Sequence, residues 1–156
     1  MSALPDPDLD PTPPDLLALD RQVCFALAVA SRKVIGLYRP FLEPLGLTHP
    51  QYLVMLALWE ESSANVARLG QRLSLDPATL SPLLKRLETQ GLVTRERDST
   101  DERVLTISLT PRGRGLRAEA ERIPEGILDT LGMDVADLEH LRDVLHDLIR
   151  ASNRAR

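Results

Sequence analysis

Leu75-Asp76-Pro77-Ala78-Thr79-Leu80-Ser81-Pro82-Leu83-Leu84-Lys85-Arg86-Leu87-Glu88-Thr89-Gln90-Gly91 is a complete helix with its punctuation. Asp76 suits the cap, and Pro77 suits the first helical position, where a missing N–H costs nothing. Leu80, Leu83, Leu84 and Leu87 repeat at the spacing of one helical face. Gly91 ends the run. Pro82 falls inside it, where an ordinary helix interior loses about 3 kcal/mol to a proline, and the pattern alone gives no reason for it. Ala78, Thr79, Ser81, Pro82, Lys85 and Arg86 lie away from the leucines. Small and hydroxyl residues at a helix start approach base edges closely, and the two cations reach phosphates.

A hairpin pattern follows. Val93 to Arg97 and Val104 to Leu109 flank the polar tip Asp98-Ser99-Thr100-Asp101-Glu102-Arg103. Leu105, Ile107 and Leu109 alternate with Thr106 and Ser108, which predicts one half-buried face. Arg95 and Arg97 flank the hairpin and Arg103 sits at its tip; an arginine on a mobile tip suits a narrow minor groove, where negative potential is strongest.

Two shorter helices are expected upstream. One runs from Pro50 to about Glu61, with Leu53, Leu56 and Ala57 inside and Trp59 near its end; the other follows Asn65, with Val66, Leu69 and Leu73 on one face. Helix, helix, capped helix and hairpin in that order make a winged helix-turn-helix. Helical patterns flank it. Leu16 to Leu42 carries apolar residues at helical spacing, and Val23-Cys24-Phe25-Ala26-Leu27-Ala28-Val29-Ala30 has no polar residue on any side. A helix apolar all round is buried all round, and a second subunit is the natural cover. Thr110-Pro111 opens a helix to about Gly132, bent at Pro124, and Asp134 caps a last helix with Leu138, Leu141, Leu145 and Leu148 on one side. The expected fold is mainly α with a small β-hairpin wing: a winged helix-turn-helix plus a helical dimerisation region. Residues 1–14 read as a disordered lead-in and 15–156 as a single domain. Within it, 15–48 and 111–156 form the dimerisation region and 49–110 the DNA-binding lobe.

Composition agrees. The chain is 43% hydrophobic but only 3% aromatic, so the core must be aliphatic, which suits packed helices. The net charge of −4 argues at first against a polyanionic partner, but the charge is segregated. Residues 68–117 hold ten Lys/Arg against six Asp/Glu; the remaining residues hold nine against seventeen. Local fields govern binding to nucleic acid more than the total does. No apolar stretch of about 20 residues predicts a membrane span. The N-terminus, with Asp6, Asp8, Asp10 and five prolines before Asp15, does not read as a secretory signal. A single cysteine excludes an internal disulfide framework and suits a reducing cytoplasm.

Two other patterns carry less. Gly113-Arg114-Gly115-Leu116-Arg117-Ala118 fits a loose G-x-G-x-x-A, but no second parallel strand follows, as a dinucleotide site requires. His140, Asp143, His146 and Asp147 read as a solvated helix surface. No cofactor, metal or enzyme active site is expected.

Residues 22–110 resemble the MarR family of winged-helix regulators, whose wing signature is matched by Asp101-Glu102-Arg103 followed by Leu109-Thr110. Within it, four segments resemble the OhrR subgroup of organic hydroperoxide sensors: Gln22-Val23-Cys24-Phe25-Ala26-Leu27, Tyr38-Arg39-Pro40, Thr48-His49-Pro50-Gln51-Tyr52-Leu53 and Leu80 to Leu87. The last makes Pro82 a shared feature. The resemblance implies a homodimer binding an inverted-repeat double-stranded DNA operator through Pro77, Ala78, Thr79, Ser81, Pro82, Lys85, Arg86, Arg95, Arg97, Asp101 and Arg103. It also implies that Cys24 is the redox-sensing residue. Organic hydroperoxide converts its thiolate to a sulfenic acid, a second thiol then forms a disulfide, and the dimer releases DNA, permitting expression of a peroxide-reducing enzyme. With no second cysteine, the chain resembles the one-cysteine type, which needs an external low-molecular-weight thiol. Tyr38 matches a tyrosine that in relatives hydrogen-bonds the cysteine of the partner subunit. His49 stands where another such tyrosine is found, and as an imidazolium it would stabilise a thiolate and make sensitivity depend on pH near neutrality. Ala28 stands at a third aromatic position. Periodicity alone favours an inert Cys24, a small buried hydrophobe; only the resemblance reverses this. Two alternatives stay open: a MarR-type regulator released by a small phenolic or anionic ligand with Cys24 inert, and a thiol peroxidase.

Overall fold

The computed structural model describes residues 15–155; the lead-in expected over 1–14 lies outside them. The chain divides into two compact units, Met1–Gly36 and Leu37–Arg156. The first long helix, α1, spans Val23–Leu42, not Leu16–Leu42. Local side-chain bonds explain the later start. The Asp15 carboxylate accepts from the Leu17 N–H at 3.0 Å and the Gln22 amide donates to the Leu16 carbonyl at 2.6 Å, leaving a turn and a 3-10 turn at Leu19–Arg21. Val23, Phe25, Leu27, Val34 and Ile35 of the first unit are exposed.

The second unit holds the core. Helix α2 spans His49–Glu61 and opens with a capping box: the Gln51 N–H donates to Thr48 Oγ1 and the Thr48 N–H to Gln51 Oε1. Leu53 and Leu56, expected inside, are exposed at 37% and 38%, while Tyr52, Val54, Met55 and Leu58 are buried beside Ala57. The run Leu53 to Leu58 is apolar on every side, so periodicity cannot choose its inner face; packing against the helices and sheet that follow chooses it. Strand β1, Ser63–Asn65, is an unexpected element, too short to show alternation. Asn65 caps α3, Val66–Leu73, and Asp76 caps α4, Pro77–Thr89. Pro82 leaves α4 unbroken; it and Ala78, the residue four positions earlier whose carbonyl would take its N–H, are both exposed.

The hairpin strands are β2, Val93–Arg97, and β3, Leu105–Leu109; Val104 falls just outside. The sheet is antiparallel with order β1-β3-β2, pairing Ala64 and Arg95 with opposite sides of Ile107, and Val93 with Leu109. Leu69, Leu80, Leu84, Leu87, Val93 and Ile107 form the centre of the core beneath it.

The single bent helix expected over 110–132 is three: α5 Pro111–Gly115, α6 Arg117–Ala120 and α7 Ile123–Leu131. Two glycines weaken α5, and Pro124 starts a new first turn rather than bending an old one. Asp134 caps α8, Val135–Arg154, which has no fully buried residue and exposes Leu141, Val144, Leu148 and Ile149.

Gly113 is the tightest backbone approach. A Cβ there would lie 2.0 Å from the Leu92 carbonyl oxygen, whereas one on Gly115 meets nothing within 4 Å. Gly113→Ala is therefore expected to lose about 2–3 kcal/mol, because backbone must move to admit the methyl. Gly115→Ala should hold or gain stability through helix propensity. Urea unfolding midpoints of the two variants check this; equal midpoints would show that the junction yields freely.

Candidate nucleic-acid interface and redox site

Helix α4 is two-faced. Leu80, Leu84 and Leu87 are at most 1% exposed, while Pro77, Ala78, Thr79, Ser81, Pro82, Lys85 and Arg86 are all exposed. The side chains read from the sequence as DNA-facing thus form one continuous solvent face of the helix after the turn.

The wing tip is tied by its own side chains. Asp98 Oδ1 accepts from the Thr100 N–H at 2.7 Å, the Thr100 hydroxyl at 2.5 Å and the Asp101 N–H at 3.2 Å. Asp101 accepts from the backbone and the Nε of Arg103 at 3.0 and 3.1 Å, and Arg97 donates to the Glu102 carbonyl at 2.7 Å. These bonds hold both carboxyls below the usual aspartate range, that of Asp98 mainly through Thr100 and that of Asp101 mainly through Arg103. Arg97, Asp101 and Arg103 are brought together at the tip, with the Arg103 side chain 91% exposed.

Other basic residues are engaged elsewhere. Arg68 and Arg72 of α3 both pair with Glu61 of α2, at 2.6 and 2.8 Å, and Arg72 also with Glu60. Arg95 turns to Glu88 of α4 at 3.0 Å. Part of the positive charge counted over 68–117 is therefore taken up in holding elements together; Lys85 and Arg86 stand exposed on α4, while at the tip Arg97 and Arg103 stand among Asp98, Asp101 and Glu102.

Tyr38 near the end of α1 and His49 at the start of α2 meet edge to face, ring centres 5.0 Å apart. Tyr52 closes the cluster, 5.9 Å from Tyr38 and 6.4 Å from His49, and touches Trp59 beyond. Tyr52 lies in the Thr48–Leu53 segment, but nothing in its spacing along the chain marks it as a partner of Tyr38 and His49. Burial pushes the Tyr38 and Tyr52 hydroxyls up and the His49 imidazole down from its ordinary value near 6.5. In the single chain, burial thus favours the neutral His49 imidazole over the imidazolium considered from sequence. Cys24, in the first unit, is a free, exposed thiol.

Tyr38 also borders a cavity of about 270 Å3, lined mainly by Ile127, Leu128, Val135 and Leu138, with Glu139 and Arg142 among its walls. Among the described residues no group of His, Cys, Asp and Glu is arranged to hold a metal ion, and no helix is long and apolar enough to cross a membrane. The G-x-G-x-x-A stretch lies in α5 and α6, where Gly113 serves close packing against Leu92.

Comparison with known proteins bears on both regions. Residues 36–119 match the family described as transcriptional regulator SarA/Rot. The organic hydroperoxide resistance transcriptional regulator of Bacillus subtilis is 43% identical over 135 residues, spanning 86% of this chain and 92% of that one. The structure of reduced AbfR bound to DNA superposes with a TM-score of 0.76 at 35% identity, covering 87% of this chain and 93% of that one. Overoxidized AbfR bound to DNA gives 0.71 at 34% identity, with 85% and 93% covered; AbfR is a protein of Staphylococcus epidermidis. With a winged helix of this geometry and relatives of this closeness over nearly their whole length, the chain belongs to the MarR/SarA family of winged-helix, DNA-binding transcriptional regulators, alongside the organic hydroperoxide resistance regulators.

Proposed function

We propose that this protein is a cytoplasmic, homodimeric repressor that reads an inverted-repeat operator and releases it when organic hydroperoxide oxidises Cys24. The observation that carries the reading is a free, exposed thiol on α1 in a chain that also builds the Tyr38–His49–Tyr52 cluster. The exposed apolar residues of α1 and α8 support a second copy as their cover. In such a dimer, two α4 helices enter successive major grooves about 34 Å apart, with Pro77, Ala78, Thr79 and Ser81 nearest the base edges and Lys85 and Arg86 on phosphates. Asp101 holds Arg103 for the minor groove beside them.

The chemistry needs few groups. The Cys24 thiolate attacks the outer peroxide oxygen; the O–O bond breaks, an S–O bond forms, and the departing alkoxide takes a proton to become an alcohol. The resulting sulfenic acid condenses with a low-molecular-weight thiol, expelling water and leaving a mixed disulfide. Phenolic Tyr38 and neutral His49, contributed by the other copy, donate hydrogen bonds that favour the thiolate. The adduct is bulkier than the thiol and shifts the dimer out of its DNA-binding spacing. The apolar cavity beside Tyr38 favours a second reading, in which a small phenolic or anionic ligand releases DNA and Cys24 stays inert.

A mobility shift on the DNA upstream of the protein's own gene separates these readings, comparing reduced protein, hydroperoxide-treated protein, and hydroperoxide with a small thiol. Cys24→Ser should bind DNA as tightly as the parent and stay bound under oxidant; release as ready as the parent's would end the sensing claim. His49 gives a pH signature. Because its folded-state pKa is lowered, unfolded chains take up the proton first, so its contribution is full above about 6.5 and declines as pH falls below that value, levelling off below the folded pKa. Urea midpoints between pH 5 and about 8 should fall on the acid side in the parent and fall less in His49→Gln; parallel curves would show that the imidazole titrates normally.

A further inference from the structure

We infer that Arg95 is a positioning residue that fixes the angle between recognition helix α4 and the wing through Glu88, and not a ligand of DNA. The inference rests on the DNA-reading surface proposed above, and it changes the role of one residue that sequence alone assigns to that surface.

Strand geometry gives the first argument. Arg95 stands directly opposite Ile107 of β3, and Val93 opposite Leu109. Directly paired residues of antiparallel strands put their side chains on the same face. Ile107 is fully buried, and Val93 and Leu109 are buried too, so Arg95 belongs to the inward face of the hairpin, while Thr94 and Glu96 belong to the outward one.

The pairing gives the second. Arg95 Nη2 donates to Glu88 Oε1 at 3.0 Å with side chains 27% and 39% exposed, and its Nε is out of solvent with no partner. Turning this guanidinium to a phosphate would abandon the carboxylate and the burial of its stem together. Glu88 is itself out of place on other grounds. It is an anion in the last turn of α4, where the helix dipole favours cations, and it follows Lys85 and Arg86 on a helix meant for a polyanion. Arg95 is what compensates it. The bond joins the end of the major-groove element to the first strand of the minor-groove element, across the turn Gln90-Gly91-Leu92, and so sets how far apart the two reach.

The sign of one substitution tests this. The probes are a duplex selected by the wild-type protein from a random pool and a scrambled duplex of equal length, titrated across a salt series, with thermal melts on every variant. Glu88→Gln removes a negative charge beside DNA, so simple electrostatics demands tighter binding. The positioning role demands roughly tenfold weaker binding to the selected duplex, with the scrambled duplex bound as well or better. Arg95→Gln should lose a similar factor with the salt slope unchanged, and the double variant should lose no more than either single. Arg95→Lys keeps the charge without the planar fork; it should weaken selected binding as well, and it serves if the glutamine variant melts too low to assay. Tighter binding by Glu88→Gln, additive losses, or a salt slope smaller by about 0.9 in Arg95→Gln would overturn the role and make Arg95 a phosphate ligand. Lys85→Ala and Arg86→Ala are the control arm. If neither lowers affinity or slope, the surface itself is misplaced and the role of Arg95 falls with it.

Discussion

The fold hangs on a carbonyl. Leu92 O accepts the Thr110 N–H at 3.1 Å and would lie 2.0 Å from any Cβ on residue 113. Around it the Thr110 hydroxyl donates to Gly91 O, Arg112 to Gln90 O, Arg114 to Leu109 O, and the Trp59 indole to Gly113 O. The end of α4, the start of β2, the end of β3 and the start of α5 all pass through this point. Were residue 113 larger, the strand carrying the wing and the helix leaving it would separate, and the orientation of wing to recognition helix would loosen with them. Glycine at 113 is therefore a condition of close approach, not of backbone freedom; its own φ is ordinary.

Charge is arranged by the same economy of position. The basic segment has two kinds of arginine. Arg68, Arg72 and Arg95 hold helices and strand to one another through Glu60, Glu61 and Glu88; Arg86 reaches outward with Lys85, and Arg97 and Arg103 bond only within the exposed tip, to the Glu102 carbonyl and to Asp101. In linear sequence they are indistinguishable, since the deciding fact is whether an acid of another element lies within reach in the fold.

The capped α4, the two hairpin strands and the last helix were legible because each carries its own punctuation: Asp76-Pro77, the alternation from Leu105 to Leu109, Asp134. What was not legible has physical reasons. The inner face of α2 was hidden by an apolar run, β1 by its three residues, and the breaks between α5, α6 and α7 by a helical pattern that runs through Gly113, Gly115 and Pro124 without changing period. At the aromatic cluster, Tyr38 and His49 were found through family likeness, and Tyr52 entered only when the rings were seen together. The protonation of His49 could not be read from sequence, because it depends on burial rather than on neighbours along the chain.

The wing tip bears on how binding would look in a calorimeter. Many DNA-reading arms are floppy until they meet a groove, and ordering them adds a large negative heat-capacity change and an entropic penalty to association. Here Asp98, Asp101, Arg97 and Thr100 have already bonded the loop into shape. Little conformational freedom is left to surrender there on contact. The heat-capacity change of operator binding should accordingly report surface removed from water and leave almost no share for folding of the tip.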